Sequence, residues 1–251
     1  MRVLRLSTSD DRPGRVAAGQ AAHEVVERIL RDATGEAVET VVRPIWPDES
    51  LPDLIDRWME RYEPDLVFLR VNGFWFQYES VPLKIERKFG RLGKPLARAG
   101  TRMGEVSWLA RSRTFRRVQY FALRVLGGAT HFTTDQVIAS MEECMRRIIA
   151  HEHVGLVVRG TDGRRAGELP GRSIAAYERR RKQVESALAG ICAGLHVRYM
   201  GTTEMFDRNK MDAMLGADRF HRGAEGHLIA GEAEGVALLK VWHSLGVDTL
   251  P

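Results

Sequence analysis

Glu63-Pro-Asp-Leu-Val-Phe-Leu-Arg-Val-Asn72-Gly73 contains a run, Asp65 to Val71, in which apolar residues are nearly continuous. A strand with one wet face alternates apolar and polar residues, whereas a near-continuous apolar strand is buried on both faces, as at the centre of a parallel sheet. Upstream of it, Asp53 to Tyr62 reads as a helix closed by Pro64, and Ala37 to Arg43 as a strand ending in Pro44-Ile45-Trp46-Pro47. Before these come a short strand, Val3 to Leu6, interrupted by charge, and a helix from about Gly14 to Ala33 with the apolar stripe Val16, Ala22, Val25, Val26, Ile29 and Leu30. Downstream, Gln136 to Ala150 and Arg172 to Gly194 read as helices, His153 to Val158 and Leu195 to Met200 as strands. A short helix within residues 202–215 and an apolar helix from Leu228 to Leu245 complete the pattern. Five strands alternating with helices predict an α/β three-layer sandwich with a mainly parallel five-stranded sheet of flavodoxin-like type.

The 251 residues, 44% hydrophobic, are enough to bury a full core, and one domain over residues 1–251 is expected. Charged residues make up 28% and the formal net charge is +5, mildly basic and without the dense basic stripe of a nucleic-acid binder. No nucleic-acid partner is therefore expected. Cys144 and Cys192 lie in helical segments without a second Cys or His at metal spacing, so both read as reduced thiols. The first residues lack the apolar run of a signal peptide, and no stretch approaches the roughly 18 to 20 apolar residues that span a bilayer. A cytoplasmic location is expected.

Three stretches carry candidate chemistry. In Gly216-Ala-Asp-Arg-Phe-His-Arg-Gly-Ala-Glu-Gly-His227, Asp218 stands three residues before His221. A carboxylate so placed can take the imidazole Nδ1 proton and leave Nε2 free to accept one, although Asp218 capping the following helix is the plainer use of the same residues. Ser7-Thr-Ser-Asp-Asp11 follows the first strand, at the carboxyl edge where parallel sheets place their chemistry, and would serve equally as a helix-capping cluster. Asn72 follows the central strand; its side-chain amide is a donor for a developing oxyanion, and an Asn before Gly is also a common turn. Beyond it, Phe74-Trp-Phe-Gln-Tyr78 offers rings for an apolar pocket wall, with Phe74, Trp75 and the earlier Trp46 as candidate substrate contacts; at least two of the cluster's four rings are expected to pack as core instead.

These stretches, in this order, resemble blocks of the SGNH (GDSL-like) hydrolases. The last block is intact as Asp218-x-x-His221 followed by Gly226-His227 at a helix start. In the first block Ser9 takes the nucleophile's place, with Ser7 and Thr8 where the family has Gly and Asp. In the third block Asn72 is kept, Arg70 stands for the usual glycine and Gly73 for the acid. The second block lacks its glycine, since none lies between Gly35 and Gly73, and Pro44 and Pro47 have no N–H to give; Ile45 or Trp46 N–H, or the Arg43 side chain, are substitutes. The resemblance implies ester hydrolysis through Ser9, His221 and Asp218, with an oxyanion held by the Ser9 N–H and Asn72 and no cofactor or metal. The departures keep open a protein of this fold that binds a ligand or partner, or transfers acyl groups, without hydrolysing.

Residues from about 87 to 130 exceed the family's minimal core. Phe115, Val118, Phe121, Ala122 and Val125 recur at helical spacing with Arg113, Arg116, Arg117 and Arg124 between them. The segment reads as a lid over an acyl pocket, a docking face for an anionic substrate, partner or membrane surface, or a packed helix with a wet arginine face. His151 and His153 flank Glu152, but no third ligand is indicated and metal binding is not expected.

Overall fold

The computed structural model describes residues 1–7, 11, 16–90, 95, 112–161, 170–201 and 222–246. Strands β1 (Arg2–Ser7), β2 (Glu39–Pro44), β3 (Leu66–Arg70), β4 (Gly155–Arg159) and β5 (Arg198–Met200) form one sheet, all parallel, in the order β2-β1-β3-β4-β5. The near-continuous apolar run therefore supplies the middle strand, β3, all five residues of which are buried. Helices α1 (Ala22–Thr34), α2 (Leu51–Tyr62), α3 (Val81–Phe89), α4 (Arg113–Leu126), α5 (Thr134–Ile149), α6 (Gly171–Gly194) and α7 (Ala224–Ser244) complete the described elements.

Alternation along the strands separates two cores. Leu4, Leu6, Val67, Leu69, Leu156 and Val158 face α2, α5 and α6, where Ile55, Met59, Met141, Cys144, Ile148, Val184 and Leu188 meet them. Val3, Leu66, Phe68 and Val157 face α1 and α7, against Ala22, Val26, Leu30, Ala230, Leu238 and Trp242. Sheet and two helical layers are the expected three-layer α/β sandwich. Burial pushes the thiols of Cys144 and Cys192 up, to about 12 and about 11, so both are inert core groups.

Two helix starts differ from the sequence expectation by four residues or more, the others by one or two. The helix expected from Gly14 begins at Ala22, after a turn with Gly19 at φ 80°, because the Glu24 carboxylate accepts from the Ala21 N–H at 2.8 Å and closes the first turn there. The C-terminal helix begins at Ala224, four residues before Leu228, with the extended Gly223 as its cap. In contrast α5 starts where its chemistry dictates: Thr133 and Gln136 bond each other's backbone N–H in a capping box.

The segment expected at 87–130 leaves and rejoins the body earlier than read. Ser80 and Ala129 exchange both backbone hydrogen bonds, Ser80 N–H to Ala129 O at 2.8 Å and the reverse at 3.1 Å, so the excursion is closed at those residues. Among the described residues no helix is long and apolar enough to cross a membrane.

Candidate active site

In this strand order β1 has β2 on one side and β3 on the other, and the chain leaves the two central strands toward opposite faces of the sheet. In open α/β sheets ligands bind at such a switch point, in the crevice outside the carboxyl ends of the strands. Ser7 ends β1 and Asn72 lies two residues past β3.

Ser9, Asp218 and His221 lie outside the described residues, as does the expected helix within 202–215; their near neighbours Asp11 and Arg222 do not. Both neighbours enter one buried ionic cluster. Three central strands each carry an arginine on the α1/α7 face: Arg5 of β1, Arg70 of β3 and Arg159 of β4, the last two opposite each other in register. The Arg5 guanidinium lies 3.1 Å from Asp11 through Nε and 2.7 Å from Glu234 of α7. Arg70 is 3.8 Å from Asp11, Arg222 is 3.7 Å from Glu234, and Arg159 donates to the same Glu234 carboxylate. None of these six side chains is more than 3% exposed.

Charges taken out of water at this depth persist only when paired, since the desolvation cost of each is several kcal/mol, roughly what a good partner returns. Burial alone would push the Asp11 carboxyl up, but Arg5, Arg70 and Arg222 together hold it well below the usual carboxylate range. Glu234 is likewise lowered against its own burial by Arg5, Arg159 and Arg222. Both acids are thus carboxylates at neutral pH. Together they join the strand ends, the loop after β1 and the start of α7 into a single unit.

The first turn after β3 is fixed by Asn72. Its Oδ1 accepts from the Phe74 N–H at 2.9 Å, capping the short 3-10 turn Gly73–Trp75, which leaves the side-chain NH2 as the end able to meet a ligand. Farther along this loop, Arg180 of α6 donates to Gln77 O at 2.7 Å and pairs with Glu79.

The aromatic residues divide. Trp75 is 1% exposed and Phe76 is fully buried, so both are core, and Trp75 is withdrawn from the candidate substrate contacts. Trp46 and Phe74 remain at the rim, 6.3 Å apart between ring centroids, and both pack on His131, at 5.3 and 4.9 Å. Burial and the Arg87 guanidinium both push the His131 pKa down, so the wall is an uncharged one at neutral pH.

Of the three substitutes for the missing glycine, two are occupied. The Arg43 guanidinium stacks over Tyr62 at 4.8 Å and bonds its hydroxyl, away from the crevice. The Ile45 N–H continues the ladder to Ser7 O at 3.0 Å. The Trp46 N–H makes no hydrogen bond among the described residues. Ser7 itself is fully buried, its side chain on the face of Arg5, and no ester can reach it there. Near the far end of the sheet, the His151 and His153 rings stand 6.3 Å apart, but among the described residues no three His, Cys, Asp or Glu gather to hold a metal.

The ionic cluster is what sequence reasoning missed. Its signal was present as single charges inside otherwise apolar strands, at Arg5 and Arg70, and as Glu234 in an apolar helix.

No protein-family model and no curated protein matches the sequence. Solved structures match its fold over nearly the whole chain. The esterase EstA from Pseudoalteromonas sp., solved inhibited by monoethylphosphonate, is 11% identical, with 97% of this chain and 98% of that one covered at a TM-score of 0.56. Est24, a carbohydrate acetylesterase from Sinorhizobium meliloti, is 12% identical over 95% and 99%, at 0.53. A G-D-S-L family protein from Desulfitobacterium hafniense is 11% identical over 94% and 99%, at 0.52. The fold is thus the SGNH-hydrolase fold, shared with structures of esterases and lipolytic proteins.

Proposed function

We propose that this protein is a serine ester hydrolase of SGNH type. Ser9 Oγ attacks an ester carbonyl as His221 Nε2 removes its proton, and Asp218 holds the imidazole and stabilises the imidazolium. The Ser9 N–H and the Asn72 amide hold the oxyanion, with the Trp46 N–H in the role of the absent glycine. His221 then protonates the leaving alcohol, and water releases the acyl group by the reverse sequence. Trp46 and Phe74 offer the acyl group an apolar wall.

The observation that carries this reading is the shared ionic cluster. Asp11 is two residues from Ser9 along the chain and Arg222 is next to His221, and both are tied through Arg5 and Glu234 at the switch point of the sheet. Two loops far apart in sequence are thereby tied at their roots to one cluster that includes Arg70, two residues before Asn72. Full burial of Ser7, the last residue of β1, favours Ser9 as the nucleophile. The neighbours' descriptions as esterases support the reaction class, and the phosphonate complex of EstA suggests the probe.

The test is intact-mass detection of a fluorophosphonate adduct, with peptide mapping to Ser9, alongside hydrolysis of p-nitrophenyl acetate. Ser9→Ala and His221→Ala should each lower turnover by about 10³ or more, with Asp218→Asn milder. Wild-type turnover in Ser9→Ala would overturn the assignment. A second reading, binding or acyl transfer without hydrolysis, is favoured by Arg70, which fills the family's glycine position and commits its guanidinium to the buried cluster. An adduct on Ser9 with no acetate hydrolysis, but transfer to an added alcohol, would select it.

A further inference from the structure

Five of the seven large apolar side chains exposed among the described residues stand on two neighbouring helices: Phe89 at the end of α3, and Val118, Phe121, Val125 and Leu126 on α4. Val118, Phe121 and Val125 recur at helical spacing and form one outward stripe, 59 to 66% exposed, with exposed Arg117 and Arg124 along it. Of the alternatives read from the sequence, a packed helix with a wet arginine face accounts for Arg117 and Arg124 but not for the apolar side chains that face solvent beside them. Polar bonds hold the helix in that pose. Lys84 of α3 donates to Leu126 O at 2.6 Å, and Arg172 of α6 to Leu123 O at 2.8 Å, satisfying carbonyls of its last turn.

The charge of this region is as uneven as its hydrophobicity. Residues 87–126 hold eleven Arg and Lys against one acid, Glu105, a net +10, so the remainder of a chain whose total is +5 carries −5. An apolar stripe within so basic a stretch decides between occupants. A second copy of the chain would set like charges against each other. A nucleic acid would take the arginines and leave Val118, Val125 and Leu126 in water. An anionic bilayer surface accepts both, the arginines at the headgroups and the apolar stripe at the acyl boundary.

We propose that the α3–α4 face docks this protein on anionic phospholipid membranes, with Val118, Phe121 and Val125 inserted at the interface and Arg117 and Arg124 among the headgroups. This does not depend on the ester chemistry. The face is joined to the crevice at its root, where Arg87 donates to His131 O at 2.7 Å, His131 being the ring packed on Trp46 and Phe74. Docking therefore holds the aromatic rim beside the membrane.

Co-sedimentation of the full chain with vesicles tests it. The protein should pellet with equal parts of phosphatidylcholine and phosphatidylglycerol, stay in solution with phosphatidylcholine alone, and be released from the anionic vesicles by added salt. The pair Arg117→Gln and Arg124→Gln should weaken partition about five-fold per arginine. The pair Phe121→Ser and Val125→Ser should weaken it at unchanged charge, with melting temperatures preserved because these side chains are exposed. Failure of the wild type to pellet, or equal pelleting with neutral vesicles, overturns the proposal without reference to any variant. Retained binding by the serine pair would indicate charge alone, as for a nucleic acid or acidic protein, and a dimer that this pair dissociates would indicate a second copy; either result overturns it.

Discussion

Asn72 uses the two ends of one amide differently, and this makes it separable by substitution. Its oxygen caps the turn after β3, and its nitrogen is the proposed donor to the oxyanion. Asn72→Asp keeps the capping oxygen and removes the donor; Asn72→Ala removes both. Each should lower kcat on p-nitrophenyl acetate by about 10² to 10³ with little change in KM. Only the alanine variant should also lose stability, by about 1 kcal/mol, as a lost cap does. An aspartate variant with wild-type kcat would reduce Asn72 to a turn residue. At this scale the sequence carried the residue type and its place after a strand, while the division of labour between its two atoms came from the turn that follows.

Helices α1 and α7 pack side by side across the second core, and glycine sets their approach. A Cβ added at Gly231 would lie 2.6 Å from Val25 Cβ and 2.8 Å from Ala22 O, and one at Gly235 2.9 Å from Ile29 Cδ1. At Gly231 the obstacles are a side-chain root and a backbone oxygen, which cannot move aside, whereas at Gly235 the nearest atom is the movable end of Ile29. Gly231→Ala should therefore destabilise the protein by about 1 to 3 kcal/mol, despite alanine's better helix propensity, because the helices must separate. Urea unfolding measures it, and a stabilised variant would show that the contact yields. The same seam holds His227, whose Nδ1 accepts from the Ala22 N–H at 3.3 Å, so separation would also strain the start of the helix that follows the Asp218/His221 block. The apolar stripe of α1 was legible from its spacing. Its partner was not, because 3.6-residue periodicity marks a face without naming what covers it.

The buried ionic cluster gives the whole molecule an acid limit. Asp11 and Glu234 have folded-state pKa values below their ordinary ones, while the unfolded chain binds protons in the usual carboxylate range, about 4. Their contribution is therefore fully present above that range and is lost as pH falls through it toward the folded values. Melting temperature should be flat from neutral pH to about 5 and then fall. Glu234→Gln leaves three buried arginines short of a carboxylate and should cost about 3 to 5 kcal/mol at neutral pH, with a shallower acid decline because one linked proton is gone. An equally steep decline in the variant would mean that other carboxylates set the limit.

By itself the sequence determined the layer order of this protein. A central run without alternation can only be buried on both faces, and strands alternating with amphipathic helices supply the cover, so local pattern dictated a parallel α/β sheet. The sequence also offered Ser9, Asn72, Asp218 and His221 as candidates for chemistry at strand and helix boundaries, and marked the basic helix as amphipathic. Only the tertiary structure decided that the apolar stripe of that helix is left in solvent, that Trp75 is core while Trp46 and Phe74 form the rim, and that Arg5 meets Asp11 and Glu234. Arg5 and Glu234 are 229 positions apart, a separation that no helical or strand period connects. Such a pairing arises only when register places three arginines on one face of the sheet and α7 lies across them, and the burial that makes it obligatory is a property of the assembled layers.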